Sequence, residues 1–588
     1  MTGRRVRAAG CWALLAMGFA PISAGVAQDT LPPPIIIRPE ARSPDSLGPT
    51  VLPRLLVQQA IETYNDPLTT RIDGPFTLPP GARLSGTVAL YRGRLRVQGT
   101  LTGAVTVING DILIESGGVI EGEVLVLGGR MDIAAGGEHR GGVARSYRTT
   151  PQLYRTGAGT LAIRERPVTL GDIAYVQRSF ETGHFTTTLS VETGRTYNRV
   201  EGLPIVFGPT IAREGLRDVD GRLDLRGVVW TAPDRTDRRG DFGYLSRLEF
   251  RFGEARRLTV GGRLYRLVSP TEELPLSRSE SGWASFLIQR DYRDYYQASG
   301  VGGYASFALT RSLQLEGSID HADDRSVPAN DPVSLFRNQS WRPNSLIDDG
   351  HFTTWRAGLS LDTRNDVAQP TAGWLLHARF EHGHSRDAAP LTLPPDVRDP
   401  IAPGPYAFSH IWFDIRRYAR FDPTIRTSLR VVGGGWVSGD PLPVQRRLSL
   451  GGPDVLPGYS FRALSCVPPG FTDPANPALC DRLLAAQLEV RARSGIGLPL
   501  RTNDPYLTGL QRLLGLGEPD LVIFGDAGNA WLAGDGPGRV KSSRIPRLGE
   551  WKYDVGLGLD AGGVGVYVAQ PLTDGLPLRL VFRLQRRF

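Results

Sequence analysis

The chain lacks what several large protein classes need. Beyond the first 30 residues no run of 18 apolar residues occurs, and the apolar fraction is only 40%, which excludes a helical membrane protein. Charged residues make up 22% of the chain, an ordinary share that argues against wholesale disorder. Lysine is nearly missing. Lys541 and Lys552 stand alone, and arginine supplies the rest of 68 basic side chains, against 60 acidic ones. The arginines are scattered rather than clustered, which suits a polar interior or anionic lipid better than nucleic acid. Gly-x-Ser-x-Gly, His-Glu-x-x-His and Walker-type sequences are all absent, so neither an enzyme nor a cofactor is expected. His382 and His384 read as a solvated strand end rather than a metal site, and Asp323-Asp324 and Asp348-Asp349 as loop charges. The mixed run from Arg290 to Tyr296 reads as an interfacial rim.

Cysteine is scarce too, with three in 588 residues. Cys11 belongs to an amino-terminal address: Arg4, Arg5 and Arg7 precede an apolar stretch from Ala8 to Ala20 and small residues ending at Ala27. That order describes a secretory signal over 1–27, cut after Ala27. The other two, Cys466 and Cys480, lie fourteen residues apart in a Pro-rich stretch without a nearby histidine cluster. In an oxidising compartment they are expected to form a disulfide, restricting the unfolded loop by about 3 kcal/mol.

Glycine and proline are plentiful, at 71 and 45 residues. Residues 28–81 read as a Pro-rich linker with one short amphipathic helix over 52–64. Residues 82–145 carry a repeat. The octet from Val105 to Ile112 returns nineteen residues later as Val124 to Met131, with Gly117-Gly118 falling on Gly136-Gly137 and Gly122 on Gly141. A looser copy starts at Val88. Short β runs separated by glycine at such a period predict a β-solenoid, each coil burying its apolar side against its neighbours. This stretch resembles the bactofilin family of small β-helices.

After a linker over 146–175, residues 176–588 are a succession of alternating segments. Leu248, Phe250 and Phe252 alternate with Arg247, Glu249 and Arg251, and Leu578, Leu580, Phe582 and Leu584 with Arg579, Arg583 and Gln585. Period-two alternation predicts strands with one apolar and one polar face. It does not by itself separate a soluble sandwich from a transmembrane barrel. The signal, the number of segments and aromatics placed to form girdles favour an all-β architecture: a short periplasmic β-solenoid, then an antiparallel outer-membrane barrel of about 16 strands.

Several stretches, in order, resemble the bacterial surface-antigen superfamily, the BamA/TamA-like barrels. Tyr197 to Leu203 resembles the barrel opening. Asp362-Thr363-Arg364 followed by Pro370, Gly373 and Trp374 resembles a strand-turn-strand motif. Gly451-Gly452 leading to Gly458-Tyr459 resembles the tip of an inward-folded sixth loop, and the stretch holding Asp526 and Gly528 the wall strand that this tip meets. Phe588 resembles a carboxy-terminal assembly signal. The sequence departs from the pattern at Pro457, where the family carries a loop-tip arginine, so Arg462 is the candidate partner of Asp526. It departs again in the absence of the family's usual periplasmic domains. The resemblance implies assistance in inserting or translocating proteins or lipids, with no covalent chemistry. Expected partners are outer-membrane lipid and lipopolysaccharide, unfolded protein clients and a periplasmic partner of the solenoid. A passive pore or an envelope tether is the alternative.

Overall fold

The computed structural model describes residues 54–587 apart from 148–150, 152, 156–159, 164–174, 194–195, 217–218, 233–241, 254–256, 273, 275, 311, 337–339, 366–369, 402–403, 422–423, 469–478, 494–518 and 562–563. The expected signal sequence, residues 28–53 of the linker behind it and Phe588 lie outside the described residues.

The first unit is a parallel β-solenoid whose stacked positions run from Thr70 to Val88, Val105, Val124 and Ala144, steps of 18, 17, 19 and 20 residues. The coils begin at Thr70, inside the stretch expected to be linker, because prolines 75, 79 and 80 disguise the first coil. At a solenoid end, proline removes few ladder donors that a neighbour needs. Leu78, Leu90, Leu95, Val97, Val107, Ile112, Ile114 and Val126 fill the interior. The helix Arg54–Asn65 lies along one side, packing Val57, Ala60 and Tyr64 against Ala89, Tyr91, Ile108 and Leu127. Glycines recur because each coil's corner touches the one before it. A Cβ on Gly129 would stand 1.6 Å from the carbonyl oxygen of Gly110, and one on Gly122 2.0 Å from that of Gly103.

The second unit is one antiparallel sheet of 17 strands, each paired with the next in sequence from Tyr175–Thr182 to Arg579–Arg583. Its faces are inverted relative to a soluble protein. Leu248, Phe250, Val301, Trp355, Ile523 and Leu557 are exposed on the outside, while Glu249, Asp320, Glu381, Asp414, Arg430, Glu489 and Arg491 are buried inside. The inner charges are paired: Asp320 with Arg263 and Arg356, Glu381 with Arg356 and Arg446, and Asp414 with Arg416 and Arg430. An apolar outer band around a charged interior is what a hydrocarbon surround requires.

At one end of the sheet most connections are short (183–184, 217–218, 253–257, 309–312, 421–424 and 562–563), beside longer ones at 363–372 and 494–519. The other carries the long connections 193–204, 230–241, 271–294, 327–349, 386–405, 440–481 and 532–551. The count of 17 agrees with the expected number of about 16, and its being odd matters. In an odd-stranded meander the first and last strands run the same way. They cannot close with the antiparallel ladder that joins every other neighbour. Among the described residues no ladder joins Tyr175–Thr182 to Arg579–Arg583, so the sheet has a seam.

Candidate functional site

Loop 440–481, the longest connection between strands, reaches the inner charges of the wall, with Arg446 paired to Glu381 and Asp454 to Arg430. It folds back on itself, with Leu448 bridged to Cys480, Leu450 to Leu464 and Gly452 to Leu456. Cys466 and Cys480 are joined by a disulfide with a Cα separation of 5.2 Å. Gly451 and Gly452 hold φ of 111° and 121°, a backbone shape that favours glycine. Leu448, Leu450, Val455, Leu456 and Tyr459 form an apolar wedge with Trp412, Val432, Leu483 and Ala530 of the wall. Gly528 is where the wall makes room, since a Cβ there would be 2.6 Å from a Leu450 methyl carbon.

The tip itself meets Asp554. The Gly458 N–H donates to Asp554 Oδ2 at 2.7 Å, and a Cβ at position 458 would lie 2.9 Å from Asp554 Cβ and 3.1 Å from the Pro571 nitrogen. The Tyr459 hydroxyl bonds to Thr573 and donates to the Tyr553 carbonyl at 3.2 Å. The expected wall partner, Asp526, faces Asp554 across the ladder but pairs with Arg587, whose guanidinium lies 3.8 Å from the Phe524 ring centroid. The tip therefore docks one strand later than the motif implied.

Arg462 also departs from its expected pairing. It binds Glu272 Oε1 at 3.0 Å and Asp294 Oδ2 at 2.6 Å, not Asp526. Its φ of 58° is unusual for a residue other than glycine and costs on the order of 1 kcal/mol, which two buried ion pairs offset. Asp294 is a hub, also bound by Arg199, by Arg342 at 2.8 Å and by the Ser345 hydroxyl. Burial alone would raise its pKa, but Arg462, Arg342 and Arg199 together hold the carboxyl well below the usual range. Arg199, from the stretch expected to open the barrel, lies fully buried inside connection 193–204 and also binds Asp291. The run from Arg290 to Tyr296 is thus not a rim: Asp291, Arg293, Asp294 and Tyr295 are buried around Arg199, and Tyr296 is buried against Arg446. Nor are Asp324 and Asp348 free loop charges. Both are buried, and Asp348 pairs with Arg398 at 2.5 Å.

A second clamp ties the loop to the end of the chain. Asp454 accepts from Arg430 at 3.1 Å and from Arg583 of the last strand at 3.2 Å. Arg583 also binds Glu280 at 2.8 Å. Glu280 sits in the inward helix Arg278–Ile288 and accepts from the Leu584 and Gln585 N–H groups at 2.8 and 3.2 Å. That helix was missed in the sequence although its start is marked. Ser277 caps it, accepting from the Glu280 N–H at 3.2 Å while its hydroxyl donates to the Glu280 carboxylate at 3.0 Å, a Ser-x-x-Glu helix start in which the hydroxyl takes the place of the backbone N–H of a full capping box. Asp554 and Arg583 carry no local motif, and only their inward phase in the strand alternation could have nominated them. Asp454, in the loop, has no such signal, and Glu280 has only its spacing from Ser277.

The other predicted motif is a structural turn. Arg364 binds Asp362 at 2.7 Å, the Thr363 N–H donates to the Trp374 carbonyl at 2.8 Å, and the Asn365 carboxamide caps Thr371, the residue after Pro370. Gly373, at φ 109°, would place a Cβ 2.2 Å from the Thr363 carbonyl oxygen. Trp374 faces outward beneath Arg417. Among the described residues no group of three or more His, Cys, Asp or Glu is placed to hold a metal. The site's chemistry is ion pairing, docking and strand edges.

No protein-family profile matches the sequence. Among curated proteins the chain is similar to Porin AaxA of Chlamydia abortus, 28% identical over 129 residues, covering 20% of this chain and 28% of that protein. It is also similar to Porin AaxA of Chlamydia felis, 24% identical over 182 residues, covering 29% and 40% respectively. The chain thus spans well under half the length of these relatives. Among solved structures it is similar to BamA from Haemophilus ducreyi lacking POTRA domains 1-3, at 12% identity and TM-score 0.38 over 74% of each chain. CdiB from Acinetobacter baumannii follows at 12% identity and TM-score 0.30, covering 70% of this chain and 65% of that one. These likenesses concern the fold alone. The inverted faces, the paired inner charges and the sheet topology make this protein an outer-membrane-type β-barrel carrying an amino-terminal β-solenoid.

Proposed function

We propose that the protein assists the insertion or translocation of other proteins, or of lipids, at the outer membrane, working at the seam of its barrel rather than through an open lumen. The observation that carries this reading is the odd-stranded sheet. It leaves two strand edges without an antiparallel partner in a setting where bare backbone groups are costly. An extended segment with its own unmet amides would satisfy such an edge by adding a strand. The interior supports the same reading, since loop 440–481 and the inward helix occupy it through the clamps at Asp294, Asp454 and Asp554. Short turns mark the periplasmic end of such barrels and long loops the outer end, and the mostly short connections on the solenoid's side support a reading with the solenoid in the periplasm and the long connections among lipopolysaccharide.

The test is an insertion assay in liposomes holding the purified protein. An unfolded reporter barrel is added, and its conversion to a heat-modifiable, protease-resistant form is followed against empty liposomes. Clear acceleration is expected. No acceleration, from a protein that is itself folded, would move the assignment to a passive pore or an envelope tether.

A further inference from the structure

The solenoid presents one corner of its coils to the barrel. Stacked Asp73, Tyr91, Ile108 and Leu127 are each followed by a left-handed residue: Gly74, Arg92, Asn109 and Gly128, at φ 81°, 60°, 57° and 72°. Glycines 93, 110 and 129 follow three of them, and there a Cβ would strike the preceding coil at 2.2, 2.1 and 1.6 Å. The result is a narrow ridge with outward-turned carbonyls and one buried carboxylate, Asp111. The short-turn end of the barrel meets this ridge. Arg420, which closes the strand Tyr406–Arg420, forms an ion pair with Asp111 and donates to the Gly128 carbonyl at 2.9 Å. Asp111 is also 3.6 Å from Arg94 and accepts from the Arg130 N–H at 3.1 Å. Arg493, which ends the strand Arg482–Arg493, lies within electrostatic reach of Arg92 and Tyr91.

We infer that the solenoid is a lid, docked through this ridge on the short-turn mouth of the barrel and able to leave it. Two features give it this character. The contacts are polar, and among the described residues the apolar cores of the solenoid and the barrel share no side chain, as at interfaces that open and close. One side also brings like charges near each other, since Arg493 lies within electrostatic reach of Arg92, while Arg420 supplies an attractive contact at Asp111. Separation exposes two charges that water can solvate, so opening is reversible, whereas a shared apolar core would weld the units together. The lid covers the end through which anything from the solenoid's side enters, whether the cargo is a protein, a lipid or a small solute.

The test uses the full chain in liposomes and planar bilayers, with hydrogen–deuterium exchange reading docking and conductance reading closure. R420E is expected to remove protection at residues 109–111 and 127–130 without changing exchange of the solenoid interior, and to raise mean conductance. R420Q, which only removes the charge, should do the same to a smaller degree. The swap D111R/R420E should recover both readouts. Unchanged exchange at the ridge in R420E and R420Q would overturn the docking. Lost protection with unchanged conductance would overturn the closure. Heat-modifiable migration reports that the barrel is folded in each case. These outcomes are separate from the insertion assay, since a lid can exist on a pore that inserts nothing.

Discussion

Gly458 shows how little room the loop tip has. Its N–H meets Asp554 Oδ2 at 2.7 Å, and any side chain must displace Asp554 or the backbone at Pro571. G458A is therefore expected to dislodge the tip while leaving the strands intact. Limited proteolysis should then cut within 453–464, where the parent resists, and heat-modifiable migration should be unchanged. Asp294 carries a second expectation. Its carboxyl is held below its ordinary value by three arginines, so its stabilising contribution is complete above about pH 4, where the unfolded carboxyl is ionised, and fades only as pH falls through the lower folded value. Lowering pH from 7 to 5 should thus leave loop protection unchanged. In D294N the acid-dependent part of the stability curve below about pH 4 should flatten, measurable by urea titration at each pH.

At the scale of elements, the barrel strands were readable because their alternation is strict, and their inside could be told from their outside only once Glu249 and Asp320 were found buried and Val301 and Ile523 exposed. Leu557 tests this. It faces outward, and L557R should cost about 2–4 kcal/mol if it lies near the bilayer midplane, read as a lower urea midpoint in liposomes. The solenoid was legible from its glycines, since each fills a place that a Cβ would close. Its first coil was not, because proline at an end coil looks like a linker. The inward helix Arg278–Ile288 was hidden by its length of eleven residues amid polar loop sequence, although the Ser277 and Glu280 spacing marked its start. The run at Arg290 was misjudged for a general reason. Local sequence shows a mix of charge and aromatics, whereas burial there is set by Arg199, about ninety residues earlier.

At the scale of the molecule, the resemblance to a BamA-like barrel supplied a loop tip and a wall strand that meets it but left open whether the loop folds inward; the loop lies inside, and its tip meets Asp554 of the next strand. The shift from Asp526 to Asp554 follows from the carboxy-terminal residues. Arg587 neutralises Asp526, and Arg583 is drawn to Glu280 and Asp454. The end of the chain is thereby pulled toward the interior and away from the seam. An odd strand count was not legible, because the segment Tyr175–Thr182 alternates like its neighbours and only pairing decides whether it closes the sheet. The seam is the central claim, and site-specific photo-crosslinking tests it most directly. A photoreactive amino acid at Phe180, on the outward phase of the first strand, is compared with one at Val301, which is also outward but lies in a strand paired on both sides. During reporter insertion in liposomes, an adduct to the reporter from position 180 and none from position 301 is the predicted result. Equal adducts from both positions, or none from 180 while insertion proceeds, would contradict the account.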